Sequence, residues 1–516
     1  MKTSIQLPCA SLLATILVSR LFAAAGDDEA EMRRNAAEQG AVLNQQIGVP
    51  VAPADDAKRS TADAKLDRER SALASRMAAD IQAGRPQYHT NHPDAQWFGA
   101  GPMGLFLHWG IPSVNGEFDL SWAMIANMGS GKKITPSAYW KLAEGFKAEN
   151  FNPDHWLGAA KTAGFSYAVL TVKHHDGFTL WPTETTELGV QTSLPGRDLV
   201  KEYVEACRRQ GMKVGLFFSG MDWYFDQKYR SFNYRSEGGK GSSILTPIPG
   251  RPEFDINHQP VTIPDMTEEF KRSYRDYNRK QITELLTRYG KIDIMWFDGG
   301  SGTDMNVEEY RALQPGIIIN NRGNLKDQTK KAWPGDYFTW EHGDASVRPP
   351  GWWEQQRIWN SPYWGYTKGN ETKYTATANI LNLLARTKAW GGAFLLNVGP
   401  RPDGTLPPPF YRGIDELSAW MKIHREAVLD VGAVPTDVVA TCPVTVRGST
   451  WYLHAITGTP NEIAVSPGAH FQKVISAQVM SSGQAVPFNW DGTTLRLTSK
   501  KTDKNTAHDV IKVEVR

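Results

Sequence analysis

Ile292-Asp293-Ile294-Met295-Trp296-Phe297-Asp298-Gly299-Gly300 is the stretch on which the reading of the fold turns. Its short apolar run has the length and composition of a buried strand. The run stops at a carboxylate followed by two glycines. Burying an unpaired carboxylate costs several kcal/mol (roughly 2–7 or more), so a strand that ends in one implies a task for it. In a parallel α/β barrel such an end opens into the active site. Asp298 is therefore expected to be a catalytic carboxylate, acting as a nucleophile.

Similar runs recur on both sides, at 104–109, 167–172, 214–219, 317–320, 337–340 and 393–398. Helix-like stretches lie between them, at 154–163, 199–210 and 268–289. One further strand is expected near 351–359. Strands alternating with helices predict a parallel sheet. The number of repeats over roughly 330 residues favours a closed (β/α)8-type TIM barrel over an open doubly wound sheet. Beyond about residue 432 only short strand patterns remain, with a hairpin turn expected at Asp491-Gly492. They predict a C-terminal β-sandwich serving as a cap for the barrel. The organisation expected is an export signal over 1–25, a linker and helical extension over 26–85, the barrel over 86–432 and the sandwich over 433–516.

The chain has 57 basic and 55 acidic residues, a balance that gives no support for a nucleic-acid or anionic-membrane partner. Apolar residues 12–18 are too few to span a bilayer, and Ala23-Ala24-Ala25 suits cleavage before Gly26. A secreted or periplasmic protein follows, with no membrane association once the signal is removed. After cleavage two cysteines remain, Cys207 and Cys442, and no disulfide is expected between them. Oligomeric state is not readable.

Further polar residues gather at strand ends. The first strand runs into His108, the second into His174-His175, the fifth into Arg322. Three histidines in such places suit a cradle for sugar hydroxyls, since imidazole donates at one nitrogen and accepts at the other. A metal site is the less favoured alternative, because His174 and His175 are adjacent and would point to opposite faces of a strand. A second carboxylate, Glu341, follows the strand at 337–340, and Glu354 competes with it. Two carboxylates across one cleft are what retaining glycoside hydrolysis needs.

Four stretches together resemble the α-L-fucosidases of glycoside hydrolase family 29: Gly104-Leu-Phe-Leu-His108-Trp-Gly, Tyr167-Ala-Val-Leu-Thr-Val-Lys-His174-His175-Asp-Gly-Phe, Trp296-Phe-Asp298-Gly-Gly, and Leu395-Leu-Asn-Val-Gly-Pro400 with Asp403-Gly-Thr. The resemblance runs from about residue 97 to 435. It implies retention through a covalent fucosyl-enzyme and no metal or other cofactor. It implies Asp298 as nucleophile, Glu341 rather than Glu354 as acid/base, and His108, His174, His175 and Arg322 as fucose contacts. It also implies an apolar pocket for the sugar's C6 methyl built from Phe106, Phe218, Trp296 and Trp364. Ser121-Trp122 stands where many members have Glu-Trp, so Trp122 is expected at the sugar and the Glu role is left open, with Glu117 nearby. The substrate expected is a fucosylated oligosaccharide or glycoconjugate. A related sugar such as an α-L-galactoside, a non-catalytic fucose-binding protein and a metal hydrolase are the rival readings.

Overall fold

The barrel strands are buried along nearly their whole length, which is why they read as continuous apolar runs rather than alternating ones. In the computed structural model the described residues are 88–516, apart from 129–131, 234–235, 238–239, 242–251, 342, 346–347, 361–362, 370–372, 500–501 and 504. The expected export signal and the 26–85 extension lie outside them.

Eight strands form one parallel sheet: β1 (Met103–Leu107), β2 (Tyr167–Lys173), β3 (Lys213–Ser219), β4 (Ile294–Asp298), β5 (Ile318–Ile319), β6 (Phe338–Trp340), β7 (Trp353–Ile358) and β8 (Ala393–Val398). Their order is β6-β7-β8-β1-β2-β3-β4-β5. The two ends meet, because Asn320 bridges Tyr337 in parallel, Asp336 N donates to Ile319 O at 2.7 Å and Asn321 N donates to Tyr337 O at 3.0 Å. The barrel is closed by these contacts. The strand expected near 351–359 is β7.

Side chains alternate between two apolar layers. Phe106, Tyr167, Val169, Phe217, Ile294, Trp296, Ile318, Tyr337 and Leu395 fill the interior. Leu105, Leu170, Leu216, Phe218, Met295, Phe297 and Leu396 face the surrounding helices. Those helices are α1 (Pro153–Thr162), α2 (Leu199–Arg209), α3 (Glu268–Arg288), α4 (Val307–Leu313), α5 (Thr377–Ala389) and α6 (Pro408–His424). Side-chain oxygens of Asn152, Asp198, Thr267 and Asn306 cap the first four, each leaving one fewer unsatisfied backbone donor. Among the described residues no helix follows β5 or β6.

The C-terminal region is two antiparallel sheets, one of five strands and one of four. Asp491 Oδ1 accepts from the Thr493 and Thr494 amides and turns the hairpin between Phe488–Trp490 and Leu495–Thr498. Val444, Leu453 and Val513 meet Ile463, Val465 and Leu497 in one core, which continues into Trp340, Trp353 and Trp390 of the barrel. Cys442 is buried here and Cys207 is buried on α2, both as free thiols. Among the described residues no helix is long and apolar enough to cross a membrane.

Candidate active site

Strand pairing and the turns that follow the strands bring the polar residues together. Ser219 and Asp298 are in register on β3 and β4. Asn320 copies a strand beyond β5: its Oδ1 accepts from Phe297 N at 3.0 Å and its Nδ2 donates to Phe297 O at 2.9 Å. Past Asp298, Gly300 N donates to Arg322 O at 3.1 Å, and Gly220 N donates to Asp298 O at 3.2 Å. The ends of β3, β4 and β5 are thus laced into one rim.

On that rim the Arg322 guanidinium joins both expected carboxylates. Nη2 donates to Asp298 Oδ1 and Nη1 donates to Glu341 Oε2. Burial opposes its charge, but the two carboxylates outweigh burial and hold the guanidinium firmly protonated. Its carbon lies 5.1 Å from the centre of the Trp296 ring, a cation–π contact that seats it on the barrel floor.

The three histidines complete the hollow, each tied through Nδ1. His108 pairs with Asn397 Oδ1, His174 with Ser121 Oγ and His175 with Ser219 Oγ, all at 2.6 Å. Burial holds His108 down at about 4, and burial together with neighbouring positive groups holds His174 and His175 well below the ordinary imidazole range. All three rings are therefore neutral near pH 7. Ser219 Oγ donates to Met221 O at 2.8 Å, so its one hydroxyl proton is used and it accepts from His175 Nδ1–H. That leaves His175 Nε2 as an acceptor, 3.6 Å from Asp298 Oδ2 and without a hydrogen-bond partner.

Phe106, Phe217 and Trp296 pave the floor, with Phe217 stacked on Trp296 at 5.3 Å and on His174 at 5.6 Å. Trp364 leans on His108 at 4.9 Å, and Trp122 meets His175 edge-on at 5.1 Å. Asp298, Glu341, His108, His174, His175, Arg322, Trp122, Phe106, Trp296 and Trp364 thus share one place.

Two expected residues do not. Phe218 faces the helices, where Lys173 Nζ sits 4.2 Å above its ring. Side chains alternate along β3, so Phe217, one position earlier, takes the interior. Glu354 is the second residue of β7, far from the strand's mouth end. Its oxygens accept from Tyr167 Oη at 2.8 Å and Trp296 Nε1 at 3.1 Å inside the barrel. Burial pushes it up to about 7 despite those bonds. It supports the floor from beneath rather than facing a ligand. Glu117 is exposed and pairs with Lys132 at 3.1 Å.

His174 and His175 do not diverge as expected of neighbours on one strand. β2 ends at Lys173, and the pair lies in the following turn, where both rings reach the hollow. One donor atom each from His174, His175 and Asp298 falls within 4.8 Å of the others, a spacing able to hold a cation. The fixed charge of Arg322 on Asp298 opposes one there. Ser121, Ser219, Asn397 and Phe217 were not anticipated. The alternation that places Trp296 and Asp298 inward would have found Phe217 and Ser219.

The α-L-fucosidase family profile matches residues 74–426. Bovine tissue α-L-fucosidase is 26% identical over 363 residues, spanning 66% of this chain and 69% of its own. The structure of α-L-fucosidase isoenzyme 1 from Paenibacillus thiaminolyticus is 27% identical, covers 82% of this chain and 99% of its own, and superimposes with a TM-score of 0.61. A Bacteroides thetaiotaomicron α-L-fucosidase, described as a trapped covalent intermediate with 2-fluoro-fucosyl fluoride, shares the fold at 20% identity and a TM-score of 0.64, covering 84% of this chain and 98% of its own. With the profile spanning well over half of the sequence, the chain belongs to the α-L-fucosidase family of glycoside hydrolases.

Proposed function

We propose that this protein is an exo-acting, retaining α-L-fucosidase that removes terminal fucose by double displacement. The observation that carries the reading is the pair Asp298 and Glu341 converging on Arg322 beside three neutral histidines. Asp298 attacks the anomeric carbon. Glu341 donates a proton to the departing oxygen and then takes one from water. Neutral Nε2 atoms accept from sugar hydroxyls, and these bonds strengthen as positive charge grows on the ring in the transition state. Phe106, Phe217, Trp296 and Trp364 offer the C6 methyl an apolar wall, which disfavours a sugar bearing a hydroxyl there. The trapped intermediate of the Bacteroides relative supports the covalent route, and the leader-like pattern of residues 1–25 supports a secreted or periplasmic site of action. No step requires a metal or other cofactor.

The test is hydrolysis of an aryl α-L-fucoside, with the anomer first released followed by proton NMR. Asp298→Ala is expected to remain folded and lose nearly all turnover. Glu341→Ala is expected to regain turnover with added azide, yielding fucosyl azide. Near-normal activity in Asp298→Ala, or release of the inverted sugar by the unaltered enzyme, refutes the proposal.

A further inference from the structure

Leu395-Leu396-Asn397-Val398-Gly399-Pro400 forms β8 and the turn that leaves it. It contributes no carboxylate or histidine to the hollow, yet two walls of that hollow rest on it. Asn397 is in register with Phe106 on β1. Its Nδ2 donates to the Trp364 backbone oxygen at 2.8 Å, and its Oδ1 lies 2.6 Å from His108 Nδ1. At Gly399 a Cβ would fall 2.2 Å from Tyr366 N, so the loop bearing Trp364 lies directly on this turn. The Trp364 ring in turn leans on His108.

These contacts remove an ambiguity. A carbonyl oxygen only accepts, so the atom facing Trp364 O is the amide nitrogen and the atom facing His108 is the amide oxygen. An amide oxygen also only accepts, so His108 carries its proton on Nδ1. Nε2, across the ring, then holds a lone pair. We propose that Asn397 is a positioning residue: it locks His108 in the Nδ1–H tautomer, commits Nε2 to accepting a hydrogen bond from a sugar hydroxyl, and ties that ring to the Trp364 wall. This rests on the fucosidase reading for the identity of the sugar, but the tautomer does not.

The choice of an amide has a chemical consequence. A carboxylate at position 397 would favour imidazolium, whose Nε2–H donates instead of accepting. Burial, and to a lesser degree Arg322, keep His108 neutral, against the pull toward protonation of the Asn397 hydrogen bond itself and of Asp298 and Glu341. The His174 ring stands 6.3 Å away and is itself neutral. An uncharged partner at Nδ1 leaves burial dominant.

Two measurements on the full chain test this. With the twelve histidines labelled with nitrogen-15, and His108 assigned by comparison with His108→Gln, the unaltered protein should show a protonated Nδ1 and a bare Nε2. Asn397→Asp should raise the His108 titration midpoint by about 2 pH units or more. Its kcat/KM on an aryl α-L-fucoside should fall about tenfold below that midpoint, the loss of one hydrogen bond, and recover as pH rises through it. A protonated Nε2 in the unaltered protein overturns the proposal. So does an Asn397→Asp enzyme whose His108 titrates unchanged, or whose activity drops equally at every pH. If the variant fails to fold, the tautomer of the unaltered protein decides. If the unaltered enzyme leaves fucosides intact, the functional reading falls while the tautomer still stands or fails by itself.

Discussion

Glu354→Gln separates the carboxylate beneath the floor from the two at the rim, and its effect can be worked out in advance. In the folded chain burial holds the Glu354 carboxyl up at about 7, against an ordinary value of 4.5. Between those two values the folded state keeps a proton that the unfolded chain has released. Stability therefore falls as pH rises through the window, and the full cost is present above about 7. A displacement of that size is worth roughly 3 kcal/mol. Glutamine is neutral throughout and carries no such cost. It keeps one acceptor oxygen where Glu354 has two, so either Tyr167 or Trp296 loses a partner, at about 1–2 kcal/mol. At pH 4.5 the variant should be slightly less stable than the parent, and by pH 8 more stable. Urea unfolding followed by Trp fluorescence at several pH values reads this directly. Turnover of an aryl fucoside should persist in the variant, and azide should not change it. Parallel stability curves for parent and variant would refute the assigned burial of Glu354. Azide rescue would make Glu354 the acid/base and displace Glu341.

Neighbouring aromatic residues on β3 should give opposite readouts. Phe217→Ala is expected to raise KM for fucosides, while Phe218→Ala, with its ring packed among the helices, is expected to destabilise by about 3–5 kcal/mol and leave KM unchanged. At Gly220 an added Cβ would lie 2.3 Å from Gly300 O. Gly220→Ala should thus displace the turn behind Asp298, cost about 1–3 kcal/mol in thermal unfolding and lower kcat more than it changes KM. Because the Arg322 charge lies on Asp298, a chelator should leave turnover unchanged, and metal analysis should find no stoichiometric ion.

Much of this protein is determined by the order of its residues. Continuous apolar runs separated by helical stretches specify a buried parallel sheet, and a sheet of that length closes into a barrel. Because active-site groups in a barrel collect where strands end, Asp298, Glu341, His108, His174, His175 and Arg322 could each be singled out by position as candidates. What the order of residues left open were matters of direction and partnership. The resemblance points to Phe218 for the methyl pocket, whereas a one-residue step along β3 reverses the face and puts Phe217 there. Spacing alone left Glu354 beside Glu341, and only the register places Glu354 near the start of β7 while Glu341 follows the end of β6. The convergence of His174 and His175 depended on β2 ending at Lys173. The anchors Ser121, Ser219 and Asn397 are 53, 44 and 289 residues from the histidines they hold. Pairings at such separations are set by strand register and barrel closure, and no local pattern of residues encodes them.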